Sequence, residues 1–434
     1  MVKGIGIAGV SFSLAGCFGN GGGNGNGNGN GNGEGGGGGG PDGLFIVGYP
    51  EDGQQLFRDY YSTSDGSEDI LIPDGMRDGA LPGQVGNDMS NVIGTAPAAG
   101  GPAQEAFESA FQDRYGEAPG VFTSQSYDSA ATLILANVAA GENDGTAVRD
   151  QMRNVANPDG TEITPDNFVE GVEMAADGQN INYQGASSDV NFNDAGDPAN
   201  AAYDIWEFDG QDSESTTKVE TQSFEGENPE GAGPSADEIP GSDSGRTIEL
   251  GILLPTSGNL ASVGGPMTQA AEMAALEVNE ADVDFEVNPT VEDTETRSSA
   301  GTEAAERLVG EGIPMVCGTA SSGVNVPVSD GVLAPSEVVG CSPSSTAISV
   351  TNLEDDDYIF RTAPSDILQG TVDANVMADR LGASSVSTLY VDNDYGQQLN
   401  DQFVEIFDGE VLSENAYAQG ASSYSSVVQT ALGG

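Results

Sequence analysis

Hydroxyl-bearing side chains cluster directly after two apolar runs that we predict to be adjacent strands. Residues 319–323 are Thr-Ala-Ser-Ser-Gly, and residues 342–346 are Ser-Pro-Ser-Ser-Thr. The first cluster opens a predicted helix, whose free N–H groups favour an anion. Such clusters are more often helix caps when they occur alone. Their pairing at two consecutive strand ends therefore favours a polar binding site for a small carboxylate-bearing molecule.

Asp74 follows a further apolar run, in the sequence Ile-Pro-Asp-Gly. From the residues alone, Asp-Gly is an ordinary turn signal. Tyr49 and Tyr395 follow other predicted strands, and isolated tyrosines are usually core or rim residues.

The absence of histidine excludes several kinds of chemistry. Without histidine, Ser-His-Asp catalysis, Cys-His catalysis and His-zinc sites are ruled out. The 69 Asp and Glu residues make chance carboxylate pairs common, and no distinctive hydrolase motif stands out among them. We therefore expect no enzyme activity, no metal and no cofactor. A structural surface protein is also not favoured, because it would not need a hydroxyl-lined crevice.

The chain combines a formal net charge of −57 with 37% hydrophobic residues over 434 positions. That much apolar material indicates a folded core under an acidic, solvated surface, a pattern resembling the proteins of salt-adapted cells. Nucleic acid and anionic membrane surfaces are consequently poor partners, and a monomer is expected.

The N-terminus has the features of an export signal. Lys3 precedes a short apolar stretch that ends in Leu-Ala-Gly-Cys at residues 14–17, which resembles a lipobox. We expect residues 1–17 to be a lipoprotein signal peptide, Cys17 to carry lipid, and residues 18–43 to be a Gly/Asn tether. The protein would then hang from the extracellular face of the membrane. An ordinary signal peptide with an incidental cysteine is the alternative.

Short β-type runs then alternate with helical stretches, which predicts parallel α/β sheets. The predicted strands are 44–49, 92–95, 248–254, 283–287, 313–317, 337–340 and 386–391. The predicted helices are 51–63, 101–115, 126–140, 266–279, 299–310, 323–333, 366–381, 396–407 and 423–432. Residues 211–245 lack apolar periodicity, so we assign 214–245 as an acidic linker.

Read in the order 246–434 and then 44–213, the sequence resembles the branched-chain-amino-acid type (type 1) of periplasmic binding protein. The resemblance includes Thr-Ile-Glu-Leu-Gly-Ile-Leu-Leu-Pro-Thr-Ser-Gly at 247–258 and Leu-Phe-Ile-Val-Gly-Tyr-Pro-Glu-Asp-Gly at 44–53. It implies a circularly permuted chain, whose junction falls at glycine runs. Joined pieces of two neighbouring gene copies are the alternative.

The resemblance implies two lobes, each a parallel sheet flanked by helices, with a ligand between them. Lobe one would combine 246–363 with 97–199, and lobe two would combine 364–434 with 44–96 and 200–213. The implied function is capture of an amino acid for the permease subunits of an ABC importer. An amide- or urea-binding relative, or a ligand-sensing domain without a transport role, is the alternative.

The resemblance also assigns ligand-binding roles. Ser322 and Thr346 would bind the α-carboxylate or ammonium through their side chains, Ser344 would contribute backbone contacts, and Asp74 would receive the ammonium. The remaining implied ligand contacts are Asp366, Tyr395, Tyr49 and Phe122. The turn at Ser257 and Gly258 is a weaker candidate, and Val263 stands where the family commonly has an aromatic residue.

Cys317 and Cys341 end two strands predicted to be neighbours. Their Cα atoms could therefore fall within disulfide range, and outside the cell such a bond would persist. Two buried free thiols are the alternative.

Overall fold

Continuous apolar runs form the central strands, because helices cover both faces of each parallel sheet. Every position of the strand Gly43–Val47 is buried. The computed structural model describes residues 40–225, 231–233, 238–242 and 245–434. The expected signal peptide, Cys17 and nearly all of the tether lie outside these residues.

The strands are β1 Gly43–Val47, β2 Asp69–Ile72, β3 Val92–Pro97, β4 Thr161–Ile163, β5 Ile181–Tyr183, β6 Asn200–Phe208, β7 Thr216–Glu225, β8 Arg246–Leu254, β9 Phe285–Asp293, β10 Met315–Gly318, β11 Val339–Ser342, β12 Ile359–Arg361, β13 Ser385–Val391 and β14 Glu410–Tyr417.

The α-helices are α1 Pro50–Thr63, α2 Leu81–Val85, α3 Gln104–Tyr115, α4 Thr123–Ala140, α5 Gly145–Ala156, α6 Phe168–Ala176, α7 Ala261–Glu280, α8 Ser298–Gly310, α9 Ser322–Val328, α10 Ile348–Thr351, α11 Asp366–Asn375, α12 Asp394–Ile406 and α13 Ser425–Ala431. Short 3₁₀ turns occupy Asp74–Met76, Pro165–Asn167 and Ala334–Ser336, and π-helical turns extend α9 and α11 at Ser329–Leu333 and Val376–Arg380.

Lobe one is built on a five-stranded sheet with the order β12-β11-β10-β8-β9, in which every pairing is parallel. Helices α4, α7 and α8 pack on this sheet. Helix α4 is buried at every residue, which explains why its apolar residues are not confined to one face; its polar residues, such as Gln125 and Asp128, are buried as well.

Lobe two is built on a seven-stranded sheet with the order β14-β13-β1-β2-β3-β6-β7. Its first five strands are parallel, and β6 and β7 add to one edge in antiparallel fashion. Helices α11, α12 and α13 pack on it. The prediction of two lobes, each with parallel strands flanked by helices, is confirmed.

Three fully described segments, residues 98–103, 184–199 and 362–365, connect the lobes. Arg361, at the end of β12, is completely buried and holds two of them together. Its guanidinium donates to both Asp197 carboxylate oxygens at 2.5 and 2.8 Å, and to the Ser345 and Ala347 carbonyls. A buried ion pair that is fully hydrogen-bonded in this way fixes the geometry of the segments it joins.

The predicted linker at 214–245 is wrong in part, because Thr216–Glu225 forms strand β7 along the whole of β6. As an edge strand, β7 is held by backbone hydrogen bonds while most of its side chains face solvent. Its sequence therefore lacks the apolar alternation by which a half-buried strand is recognised.

Cys317 and Cys341 are buried free thiols, so the disulfide alternative is wrong. They lie directly opposite each other on β10 and β11. In this parallel pair both side chains point towards α4, where the Cys317 thiol donates to the Ser126 carbonyl at 3.7 Å. Burial raises the pKa of the Cys317 thiol to about 11, so the thiol stays protonated.

Candidate functional site

The carboxyl ends of strands from both sheets face one another across the space between the lobes. Tyr49 follows β1, Asp74 follows β2 and Tyr395 follows β13 in lobe two, while Ser322 follows β10 and Ser344 follows β11 in lobe one. This edge of an open parallel sheet is where ligand-binding loops are generally found.

Six of the eight predicted ligand-binding residues line one cavity between the lobes: Tyr49, Asp74, Phe122, Ser322, Ser344 and Tyr395. The cavity measures about 20 Å³, which is room for about one water molecule. An amino acid can therefore enter only if the lobes, or the side chains between them, move apart.

The hydroxyls of lobe one are ordered by the loop around them. Ser342 donates to the Thr319 carbonyl at 2.6 Å, and Ser345 donates to the same carbonyl at 3.0 Å, which ties the two serine loops together. Ser322 accepts a hydrogen bond from the Ala347 N–H at 3.2 Å. The Ser322 and Ser344 side chains are therefore held at the cavity wall before any ligand arrives.

Asp74 is the buried acid of the cavity. Its Oδ1 accepts hydrogen bonds from Gln369 Nε2 at 2.7 Å and from the Tyr395 hydroxyl at 3.2 Å. Burial nevertheless dominates and raises the pKa of Asp74 to about 6. An ionised carboxylate at this position lacks a cation among the described residues, which suits it to a ligand ammonium.

A second buried acid lies behind Asp74 in the same hydrogen-bond network. Gln369 also approaches the Thr95 hydroxyl at 3.4 Å, and Thr95 donates to Asp373 Oδ1 at 2.5 Å. Burial raises the pKa of Asp373 well above its ordinary value, and the charge of Asp74 adds to this effect. The ligand-facing acid is thus backed by further carboxyl groups and not by a positive charge.

Tyr49 links the lobes directly. Its hydroxyl lies 2.8 Å from Ser321 Oγ in lobe one and accepts a hydrogen bond from Asn393 Nδ2 in lobe two at 3.0 Å. Its ring stacks on Tyr395 with centroids 5.7 Å apart. Asn259 of lobe one also donates to Asp52 of lobe two, so the structure is held in a closed arrangement.

The opposite wall of the cavity is apolar. It is formed by Phe122 and by side chains on the first turns of α7 and the loop before them, namely Pro255, Leu260, Val263 and Met267. Such a surface favours an aliphatic group. Leu260 and Met267 are not among the residues expected from the sequence, although their spacing after the β8 turn places them on one helical face with Val263.

Thr346 and Asp366 do not line this cavity, although both are completely buried beside it. The Asp366 N–H donates to the Thr346 carbonyl at 2.8 Å. By strict hydrogen-bond geometry the Thr346 hydroxyl and both carboxylate oxygens of Asp366 are unpaired among the described residues, although Thr346 lies close enough to Asp366 to lower the pKa of that carboxyl. Burial and the nearby Asp74 raise the pKa of Asp366 well above its ordinary value.

The turn at Ser257 and Gly258 does not reach the cavity, in contrast to the weaker expectation. Ser257 instead donates to Asp293 Oδ2 at 2.6 Å at the end of β9. Across the described part of the chain, no three His, Cys, Asp or Glu side chains are placed to hold a metal ion. In the same part, no helix is both long and apolar enough to cross a bilayer.

Comparison with known families agrees with this architecture. The sequence profile described as periplasmic binding protein matches residues 38–182 and 247–433, which together make up most of the chain. The chain belongs to the periplasmic binding protein family. Proteins of this family bind solutes for transporters in the periplasm or outside the cell.

Two similar curated proteins of the family are named as Leu/Ile/Val-binding proteins. Homolog 3 of Brucella melitensis is 31% identical over 160 residues, and BraC3 of Rhizobium johnstonii is 30% identical over 158 residues. Each alignment covers 36% of this chain and 42% of the relative. The chain thus matches less than half the length of these relatives.

Solved structures of the family are also similar to part of the chain. The branched-chain amino acid transporter substrate-binding protein LivJ of Streptococcus pneumoniae, in complex with isoleucine, gives a TM-score of 0.39 at 25% identity over 43% of this chain and 53% of that one. The leucine-binding protein LivK of Thermotoga maritima gives 0.38 at 21% identity, over 42% and 53% respectively.

Proposed function

We propose that this chain is the extracellular solute-binding component of an ABC importer and captures an amino acid with an aliphatic side chain between its lobes. The observation that supports this most directly is the composition of the interlobe cavity. The cavity is lined by Asp74, a buried acid that has no cationic partner among the described residues, by ordered serine hydroxyls, and by an apolar wall. No catalytic role is proposed for any of these residues.

In this proposal the ligand ammonium lies at Asp74, and its carboxylate lies at Ser322, Ser344 and the start of α9. The aliphatic side chain contacts Phe122, Leu260 and Met267. Thr346 and Asp366 are completely buried beside the cavity and come within reach of the ammonium when the lobes open and close again around the ligand. The ligand would thereby give these buried oxygens a better hydrogen-bond partner than the protein alone supplies.

Calorimetric titration with leucine, isoleucine and valine tests the proposal, with Asp74→Asn as the variant. Because removal of one member of a desolvated charge pair is costly, we expect the leucine dissociation constant to rise at least about a hundredfold. Asp65→Asn is the matched control, since Asp65 is an exposed acid of the same lobe. Unchanged leucine affinity in Asp74→Asn would contradict the ammonium assignment.

The same titration separates the alternatives. An amide- or urea-binding protein would bind acetamide or urea and would ignore amino acids, because those neutral ligands do not need an ionised acid. A sensor domain would bind the amino acid without supporting its uptake, so uptake by cells lacking this protein distinguishes sensing from transport.

We also propose that the sequence of this chain is a circular permutation of the family order. Support for the permutation comes from lobe two, where β1 lies between β13 and β2. Helix α13 packs against α1 and β13, and Gly40 lies against Leu432. A short turn could therefore join the end of the chain to the start of β1.

We further propose that the protein is anchored to the membrane by lipid at Cys17. Mass spectrometry of the mature N-terminal peptide tests lipidation of Cys17.

A further inference from the structure

A second cavity of about 290 Å³ lies between the lobes, next to the cavity that contains Asp74. Phe122 lines both cavities, so the two spaces are neighbours. Lobe two contributes Arg77 and the start of β7 to the second cavity. Lobe one contributes the loop before α4 together with Ser124 and Gln125 in the first turn of that helix.

Arg77 differs from the other cations that the structure describes. Eight of them form ion pairs with carboxylates. Arg58 and Arg246 donate to carbonyl oxygens. Arg77 has only a long hydrogen bond, from Nε to Thr216 Oγ1 at 3.4 Å, and its guanidinium lies 5.6 Å from the centre of the Trp206 ring. Its terminal nitrogens have no hydrogen-bond partner among the described residues.

Further donors converge on the same space. The residue before α4, Phe122, provides no side-chain cap, which leaves N–H groups of the first turn without one. Ser124 and Gln125, in the first turn of the helix, line the cavity together with Arg77.

The acidic residues of the cavity wall are Glu108, Asp204 and Glu214. Asp204 accepts a hydrogen bond from Thr221 at 2.5 Å and lies 3.8 Å from Lys218, while Glu108 accepts one from Gln104 at 2.7 Å. Glu214 is exposed, so solvent screens its charge. The charge of Asp204 also acts on Arg77 and partly offsets the effect of burial, which lowers the pKa of Arg77. No carboxylate among the described residues forms an ion pair with the guanidinium, so its terminal nitrogens stay available in a chain where cations are scarce.

We propose that this cavity is a subsite for the carboxylate of a small molecule, with Arg77 as its charge partner. The carboxylate has two possible sources. It can end the side chain of an acidic amino acid that takes the place of an aliphatic one at Asp74, in which case the inference rests on the amino-acid site of the proposed function. It can also belong to a separate small acid. The first source is within reach, because Asp74 and Arg77 are the two ends of one 3₁₀ turn, joined by a 2.9 Å backbone hydrogen bond.

Calorimetry on the full chain distinguishes the sources. Wild type, Arg77→Gln and Arg77→Lys are titrated with leucine, 2-aminoadipate and glutarate. If the subsite serves the amino acid, Arg77→Gln weakens 2-aminoadipate at least about tenfold and leaves leucine within about twofold. If it serves a separate acid, glutarate binds wild type in the presence of leucine, and Arg77→Gln abolishes that binding. Arg77→Lys retains part of the affinity in either case.

Arg58→Gln is the control, because it removes an exposed charge from the same lobe and should leave every titration unchanged. If Arg77→Gln fails to fold, wild type is compared on acid and amide pairs such as 2-aminoadipate and its side-chain amide. Equal affinity for both members, with no glutarate binding, would overturn the subsite. Failure of the proposed function would give a different result, because no amino acid, including leucine, would then bind to the wild-type protein.

Discussion

At the scale of single residues, Asp74 has opposing effects on stability and on binding. Burial raises its pKa from 3.8 to about 6, so the folded protein holds this proton more tightly than the unfolded chain does. The free energy of unfolding contributed by Asp74 therefore falls as the pH rises from about 4 to about 6 and stays low above that. Ligand ammonium binding requires the ionised form that folding disfavours.

Asp74→Asn should therefore stabilise the ligand-free protein at pH 7.5 by about 3 kcal/mol, since each pH unit between the two pKa values is worth about 1.4 kcal/mol. Below about pH 4 the gain should vanish, because Asp74 is then protonated in both states. Denaturant unfolding across this pH range measures the difference. Asp128 and Glu277 also have raised pKa values, but they are present in both proteins and cancel. An Asn variant that is no more stable at pH 7.5 would contradict the assignment.

At the scale of elements, the buried ion pair between Arg361 and Asp197 fixes the end of β12 against the segment that precedes β6. Arg361→Gln leaves Asp197 uncompensated, so we expect the free energy of unfolding to fall by about 3–5 kcal/mol. Arg307→Gln breaks the exposed pair with Glu292 and should change the same quantity by less than about 1 kcal/mol. Equal losses in the two variants, measured by denaturant unfolding, would show that the buried pair has no special role.

The elements that the sequence predicts well are the longer ones that pack in the core, whereas the short buried strands β2 and β12 are not among the predicted strands. Runs such as 248–254 and helices such as 299–310 have a pattern that packing imposes, and the structure has them as β8 and α8 with small shifts at the ends. Strands β7 and β14 were missed because most of their side chains are exposed or only partly buried, and backbone pairing with the neighbouring strand holds them in place. Local pattern does not record such pairing.

Some of the site residues can likewise be placed from the sequence, and others cannot. Tyr49, Asp74 and Ser344 lie directly after strand ends, so sequence order and topology suffice to bring them together. Thr346 lies only two residues beyond Ser344, yet it turns behind the cavity wall. That difference depends on the hydrogen bonds of the serine loops and on how far the lobes are closed, and neither can be read from spacing.

At the scale of the whole molecule, the arrangement of β1 and α13 makes the order of the chain testable. A chain that joins Gly434 to Gly40, and so begins at residue 246 and ends at residue 225, should fold and bind leucine within about threefold of the original, because the joined ends are exposed and close. A chain opened inside the buried helix α4 is the control and should fail to fold. If the joined chain fails while the original folds, the permutation is contradicted.

The net charge of −57 predicts that stability depends on salt. At low ionic strength the acidic surface repels itself, whereas at 1 M salt the Debye length is only about 3 Å. We expect the melting temperature to rise by at least about 5 °C between 0.1 and 2 M potassium chloride, which is about 1–2 kcal/mol for a large domain. A neutral osmolyte is the control, because it is excluded from the protein surface as stabilising salts are but does not screen charge. A melting temperature that is flat or falls with salt would contradict adaptation to high salt.

The chain contains one tryptophan, and the structure places it under Arg77. Trp206 is completely buried, and its indole N–H has no partner within the described residues. Its emission should therefore respond to anything that draws the guanidinium away from the ring. The protein thus carries its own optical reporter at the second cavity, and a change on adding glutarate but not leucine would locate the event there without a label.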